Sequence, residues 1–478
     1  MIPRCRLTRL GIWLIGVAAL GFLGCAVGPN FKRPIPPALD RYTADPLPDR
    51  TATADQRGQR FVAGAEVPSE WWKLFGSPAL DRTVAEALAH NQNLAAAAAN
   101  LRATEDTRRA GYGVFLPQIG VVGTAARERN SPRQIGQMAP GSVFNLFTVT
   151  GSIGYTLDLF GGARRRLEAL GAEVDLAREN ERAAYLALTA NVVNASIARA
   201  AYRAEVDATR ELIGAATNQA NLAEVQFRAG TTGYASVLAL KSQVASLETS
   251  LPPLAQRGDA AGDLLAVLGG RSPAEWKPPD IAFDTLRLPE DIPVSLPSDL
   301  VRQRPDVLAA EADLHAASAQ IGIATADMVP SISLSGDLGS GAGRIWSGAG
   351  SVSVPVFRGG SLWFTRRSAV HAYEKSLAEY RQTVLTAFQQ VADTLRALQH
   401  DAEMVGAAAQ AAQLARDSQA LIQANYQAGV ASYLAVMTAT QEYQNARLTY
   451  LQASAQRLQD TVALYVALGG GWWNAPNP

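Results

Sequence analysis

Four stretches of this chain alternate apolar with small polar residues, and that number restricts what the chain can become more than any other feature. In FTVTGSIGYTLDLF, Phe147, Val149, Gly151, Ile153, Tyr155, Leu157 and Leu159 take one face of a strand. Thr148, Thr150, Ser152, Gly154, Thr156 and Asp158 take the other. After Pro330, Ile332, Leu334 and Leu338 alternate with Ser331, Ser333, Ser335 and Asp337. Trp346, Val352, Val354 and Val356 then alternate with Ser347, Ser351 and Ser353. Gln118 to Ala126 is the weakest of the four, with apolar residues on both faces. Each has about the 9–11 residues a transmembrane β-strand needs, apolar outward and small-polar inward. A soluble two-sheet domain with a half-buried face would leave the same alternation. In lipid, open sheet edges are forbidden and about eight strands is the observed minimum. A membrane barrel from this chain must therefore pool strands with further copies of it.

The first residues favour export. Arg4, Arg6 and Arg9 precede an apolar run from Leu10 to Leu23 that ends at Gly24-Cys25. This has the layout of a signal peptide over residues 1–24, too short for a membrane-spanning helix. Phe22-Leu23-Gly24-Cys25 resembles a bacterial lipobox, with phenylalanine in place of the usual leucine three before the cysteine. That resemblance implies lipidation of Cys25, and Ala26 in place of an aspartate points to the outer membrane. Cys5 leaves with the signal, so the mature chain keeps no thiol pair and must rest on packing and assembly.

The remaining composition excludes more than it suggests. Charges balance at 43 of each sign, which offers no field for nucleic acid. His90, His315, His371 and His400 are too scattered for a metal site, and each reads as a lone surface or interface residue. No P-loop, dinucleotide fingerprint, cysteine pair or G-x-S-x-G occurs, so nothing local supports an enzyme or a cofactor beyond the lipid on Cys25. Gly161 to Arg166, GGARRR, looks like a phosphate-binding cluster, but reads better as a strand-to-helix junction whose arginines face periplasmic water or a lumen.

Prolines organise the chain. Eight fall between Pro29 and Pro78 and a second cluster runs from Pro273 to Pro305, leaving extended or linker segments there. None occurs between Pro140 and Pro252 or between Pro355 and Pro476. Inside those gaps Gly162 to Phe227 and Ser361 to Tyr426 are 66 residues each, roughly 100 Å as single helices. Leu377, Val384, Val391, Leu398 and Val405 recur every seven residues, with Phe388, Leu395, Ala402 and Ala409 as a second seam. That repeat means long helices packed side by side. Shorter helices are expected over Ala79–Tyr112, Ala235–Leu268, Asp299–Met328 and Ser432–Leu468, paired end to end beside the long ones.

The two halves align as an internal repeat. Leu116-Pro117 matches Val329-Pro330, Phe160 matches Phe357, and Leu268-Gly269-Gly270 matches Leu468-Gly469-Gly470. From proline to phenylalanine is 43 residues in the first half and 27 in the second, and the difference is expected in the first hairpin loop around ARERNSPRQIGQMAPGS. The layout is a signal at 1–24, an extended N-terminal segment at 25–78 and a first repeat at 79–270. A linker follows at 271–297, then a second repeat at 298–470 and a tail at 471–478. A phrase recurs within the repeats: FRAGTTGYASVL from Phe227 and YQAGVASYLAVM from Tyr426, each with an aromatic residue three before a glycine and a tyrosine four after it.

CAVGPNFKRP (Cys25 to Pro34), YTLDLFGGARRR (Tyr155 to Arg166), the run from Leu300 to Leu334 and LYVALGGGW (Leu464 to Trp472) carry a resemblance over essentially the whole chain. The chain resembles the TolC/OprM-like outer membrane efflux channels, in the lipoprotein branch serving tripartite pumps of the resistance-nodulation-division type. The resemblance implies an α+β homotrimer: a twelve-stranded barrel continued by a periplasmic helical barrel, with the Pro-rich segments as an irregular equatorial belt. It implies a passive exit duct for drugs or other small molecules, with a periplasmic adaptor and an inner-membrane pump as partners. It makes the recurring phrase the periplasmic tip turns, with Gly230, Tyr234, Tyr426, Gly429 and Tyr433 as tip residues. Leu434 matches the family's constricting leucine. Thr438 and Gln441 stand where relatives carry an aspartate and an arginine, so closure is expected to be apolar and hydrogen-bonded rather than ionic. The sequence alone is also compatible with a type I secretion or metal-efflux channel, and with a pore-less periplasm-spanning lipoprotein.

Overall fold

The computed structural model describes residues 26–46, 48–52, 58–130, 141–341 and 343–474. The signal at 1–24, Cys25, most of the first hairpin loop and the end of the tail lie outside them. In chain order the strands and α-helices are β1 (Arg60–Ala63), α1 (Pro78–His90), α2 (Gln92–Gly111), β2 (Gln118–Asn130), β3 (Ser142–Leu157) and α3 (Gly162–Arg228). Then come α4 (Tyr234–Glu248), α5 (Leu251–Leu268), β4 (Asp291–Val294), α6 (Pro297–Gln303), α7 (Pro305–Ala326), β5 (Ser331–Ser340) and β6 (Arg344–Ser353). The long helix α8 (Ser361–Gln427) and α9 (Tyr433–Ala467) complete the chain. Among the described residues no helix is long and apolar enough to cross a membrane.

The chain divides into two compact units, each drawing on both halves of the sequence. One unit takes residues to Pro34, Asn100–Arg178 and Ala309–Arg381, and contains an antiparallel sheet in the order β2-β3-β5-β6. Its register aligns the alternating faces. Ile119 stands opposite Ile153, Leu157 opposite Ile332, Tyr155 opposite Leu334, and Leu338 opposite Trp346. Where all four strands pair, that face is lined by apolar and aromatic residues and glycine except for Ser340 and Arg344 at its end, as the alternation predicts, because a one-residue slip would move every side chain to the other face. Glycine fits large residues together there: Ile153 pairs with Gly336, where an added Cβ would come 3.2 Å from the Ile153 side chain. On the other face Ser333 and Ser351 share a 2.7 Å hydrogen bond, and Ser347 donates to Asp337 at 2.8 Å.

The extra length of the first half does not lie wholly in the loop. β2 and β3 run 13 and 16 residues against 10 each for β5 and β6. Arg127, Glu128 and Arg129 pair with Asn145, Phe144 and Val143 instead of looping. A strand that outruns its neighbours can carry charge on both faces because nothing packs on it, and the alternation that marks a strand disappears there.

At the junction after β3 the N-terminal segment is strapped down. Arg165 is buried and donates to Val27 O at 3.1 Å, Gly28 O at 3.3 Å, Asn30 Oδ1 at 2.8 Å and Glu168 Oε2 at 2.6 Å. The junction expected at GGARRR is there, but Arg165 faces neither water nor a lumen. Gly28, at φ +89°, lies so close to the helix that a Cβ would come 2.5 Å from Gly322 Cα. His315 stacks on Phe31 at 4.3 Å and bonds Glu168 at 3.0 Å, so it is not a lone residue.

The other unit takes Ile35–Ala99, Glu179–Leu308 and Gln382–Pro478. Its core follows the seven-residue seam: Val384, Val391, Leu398 and Val405 are buried, as are Phe388, Leu395 and Ala402. Trp71 stacks on Tyr465 with ring centroids 5.4 Å apart, both fully buried. The Pro-rich segments are more ordered than their composition suggests, because β1 and β4 pair in parallel, Phe61 beside Ile292.

Three of the expected shorter helices are broken. Asn91 sits between α1 and α2 in an extended conformation, accepting from Leu94 N at 3.0 Å and donating to Leu268 O at 2.9 Å. Arg304, held out of the helix by Pro305, separates α6 from α7 and bonds Asp306, Gln390 and Ala467 O. Thr249 and Ser250 separate α4 from α5 ahead of Pro252 and Pro253, which lack N–H donors. The long helices run as expected, each one residue further at 67 residues.

Candidate functional site: the helix tips

Both copies of the recurring phrase fold into the same turn. At the end of α3 the Gly230 N–H donates to Phe227 O at 2.9 Å, and the Thr231 N–H to Gln226 O at 2.9 Å. At the end of α8 the Gly429 N–H donates to Tyr426 O at 3.0 Å, and the Val430 N–H to Asn425 O at 2.8 Å. This nested pair of bonds needs a left-handed residue after the last helical turn, and both glycines have φ +74°. The aromatic residues of the phrase meet across it. Phe227 lies 5.2 Å from Tyr234, and Tyr426 lies 6.2 Å from Tyr433 in an edge-on contact. Phe227, the aromatic residue three before Gly230, is not among the tip residues expected above, although its spacing to Tyr234 matches that of Tyr426 to Tyr433.

The second tyrosine does more than staple its own turn. Tyr433 packs on a buried cluster of Ala220, Ala223, Val237 and Leu240, which joins α9 to α3 and α4. Its hydroxyl finds no hydrogen-bond partner among the described residues, and burial pushes its phenol well above the usual range. A cavity of about 20 Å³ lies beside it, lined in part by Gln219, Gln243, Gln423 and Thr440.

Leu434, Thr438 and Gln441 share one exposed face of α9, with Leu434 68% exposed. Thr438 turns its hydroxyl onto Leu434 O at 3.1 Å. Gln441 donates to Asn445 Oδ1 at 3.0 Å and accepts from Gln243 Nε2 at 3.4 Å. Gln423 reaches Gln219 at 3.3 Å, and Gln419 reaches Thr440 at 3.2 Å. The contacts around this face are neutral amides and hydroxyls. Ion pairs do occur between the helices, Lys241–Glu224 at 2.9 Å and Arg447–Glu211 at 2.6 Å, on the exposed surface. Among the described residues no cluster of ligating side chains suits a metal ion.

A family model described as outer membrane efflux protein matches residues 83–270 and 296–470. The chain belongs to this family. It is 29% identical over 478 residues to a probable efflux pump outer membrane protein, TtgC, of Pseudomonas putida, covering 96% of each. It is 30% identical over 450 residues to the pyoverdine export outer membrane protein OpmQ of Pseudomonas aeruginosa, covering 90% of this chain and 94% of OpmQ. Its structure resembles the outer-membrane channel OprN with a TM-score of 0.84 at 27% identity, over 94% of this chain and all of OprN. The open MtrE channel of Neisseria gonorrhoeae shares the fold, with a TM-score of 0.80 at 24% identity, over 95% of this chain and all of MtrE. This outer membrane efflux protein is thus a channel of the TolC/OprM type, placed in the outer membrane and extending into the periplasm.

Proposed function

We propose that three copies of this chain form one passive exit duct, each giving four strands to a twelve-stranded barrel and its long helices to a periplasmic tunnel. The observation that carries this is the β2-β3-β5-β6 sheet, apolar over one face and unpaired along both outer strands. In lipid such edges must be paired, and β6 of one copy against β2 of the next pairs them all. The duct is a duplicated hairpin, a reading supported by two 67-residue helices and two tips with one hydrogen-bond pattern. Its Pro-rich segments, joined by the β1–β4 ribbon, form the equatorial belt. The tips meet a periplasmic adaptor coupled to an inner-membrane pump, and Leu434, Thr438 and Gln441 narrow the closed pore. Cys25 carries the lipid. The duct does no chemistry.

Cargo belongs to the pump and adaptor rather than to the duct. Relatives about equally similar to this chain are named for toluene efflux, antibiotic efflux and pyoverdine export. The test pairs cysteines at Gly123 in β2 and Gly348 in β6. Oxidation in the outer membrane should yield covalent trimers only when both are present, and planar bilayers should show channel conductance. Covalent dimers with no larger species, or no conductance, would refute the duct.

A further inference from the structure

We propose that the segment joining β6 to α8 is a binding site for an anionic phospholipid headgroup of the periplasmic leaflet. The proposal rests on the reading that the apolar face of the sheet meets lipid. That face continues past the end of β6 with the same parity. Val354 is 53% exposed and Val356 90%, followed by Phe357 at 86%. Gly359 and Gly360, at φ +59° and +82°, turn the chain into α8 at once, where Trp363 and Phe364 are again exposed. Exposed aromatic residues directly beyond an apolar strand are what the headgroup level of a bilayer selects.

Charge decides which headgroup. No aspartate or glutamate occurs between Asp337 and Glu374, while Arg358, Arg366 and Arg367 all fall at this junction. Arg367 lies over the Trp363 ring at 5.2 Å, and Arg366 donates to the neutral Thr325 Oγ1 at 3.3 Å. The junction after β3 makes the contrast. There Arg164 pairs with Asp158 at 3.1 Å, Arg165 with Glu168 at 2.6 Å and Arg166 with Asp327 at 3.8 Å. Two junctions lead from a strand into a 67-residue helix. One has its arginines matched by carboxylates; the other presents guanidinium groups beside exposed aromatic rings with no carboxylate in ion-pair reach among the described residues. A phosphodiester supplies the missing anion in bidentate geometry, and its acyl chains cover Val356, Phe357 and Trp363.

The experiment uses full-length protein in vesicles whose lipids carry bromine near the headgroup, with phosphatidylglycerol or phosphatidylcholine as the brominated species. Quenching of Trp363 is obtained by difference against Trp363→Phe, and that of Trp346 against Trp346→Phe. The expected result is quenching of Trp346 by either lipid, with Trp363 preferring phosphatidylglycerol roughly tenfold. Replacing Arg358, Arg366 and Arg367 with glutamine should bring that preference near parity while leaving Trp346 unchanged. Quenching of Trp346 with none at Trp363 would mean that a second copy covers the junction, and equal quenching of Trp363 by both lipids would mean no headgroup selection. Either overturns this inference alone. Absence of quenching at Trp346 overturns it together with the lipid-facing sheet.

Discussion

Glycines with the same backbone sign play different parts in this molecule, and the space around each one separates them. Gly230 and Gly429 have nothing within 4 Å of where a Cβ would stand, so only their left-handed torsion resists substitution. Gly429→Ala should therefore cost about 1 kcal/mol at the tip and nothing elsewhere. Hydrogen exchange should speed up around Asn425–Ser432 with an unchanged global melting temperature. Gly28→Ala adds a backbone clash with Gly322 to its torsional strain, and should lower the melting temperature itself. Asp401 on α8 carries a different prediction. Burial, and then the hydrogen bond and charge of Asp460 on α9, push its carboxyl up to about 7, with Arg457 opposing. An unfolded aspartate titrates at about 3.9, so the folded protein holds an extra proton between the two values. Stability is full below the lower value and declines as pH rises through the upper one. Asp401→Asn should flatten that decline and raise the melting temperature at pH 8; an unaltered pH slope would exclude the carboxyl as its source.

At the scale of elements, the tips depend on packing between helices more than on charge. Tyr433 connects α9 to the cluster around Val237 and Leu240, and Tyr433→Ala should open a cavity costing about 3 kcal/mol locally. In planar bilayers that variant should open more often than the parent. The amide contacts of Gln441, Gln423 and Gln419 carry no net charge, and exposed ion pairs such as Lys241–Glu224 contribute little. Closed-state conductance should accordingly change little with ionic strength or with pH near neutrality. A Thr438→Asp/Gln441→Arg double variant should make the closed state markedly salt-dependent. If the parent already shows strong salt dependence, the neutral account of closure is wrong.

For the whole molecule, two devices bear on its place in the membrane: the lipid expected on Cys25, which lies outside the described residues, and the sheet. If the proposed trimer forms, Cys25→Ala should leave it intact in detergent while lowering the amount that reaches the outer membrane, measured by fractionation. Drug susceptibility after deletion, complemented with either form, would then report how much export depends on the lipid. Loss of trimers in detergent would instead make the lipid part of folding.

Elements whose cause is local and repeated were legible in the residues before folding. Absence of proline set the two long helices to within a residue, and a seven-residue seam marked the packed face of the second. Period two set the faces of the sheet, and the repeated aromatic-glycine-tyrosine phrase, read through the family resemblance, marked both turns. Features that join residues far apart in the chain were not legible there. Asn91 breaks a helix by bonding Leu268 O, β1 finds β4 across more than two hundred residues, and Arg165 is buried by the backbone of Val27 and Gly28. None of these leaves a period or a spacing behind. Each is a single polar group or short strand satisfied by a distant partner, and such a partner becomes legible only when the chain has folded.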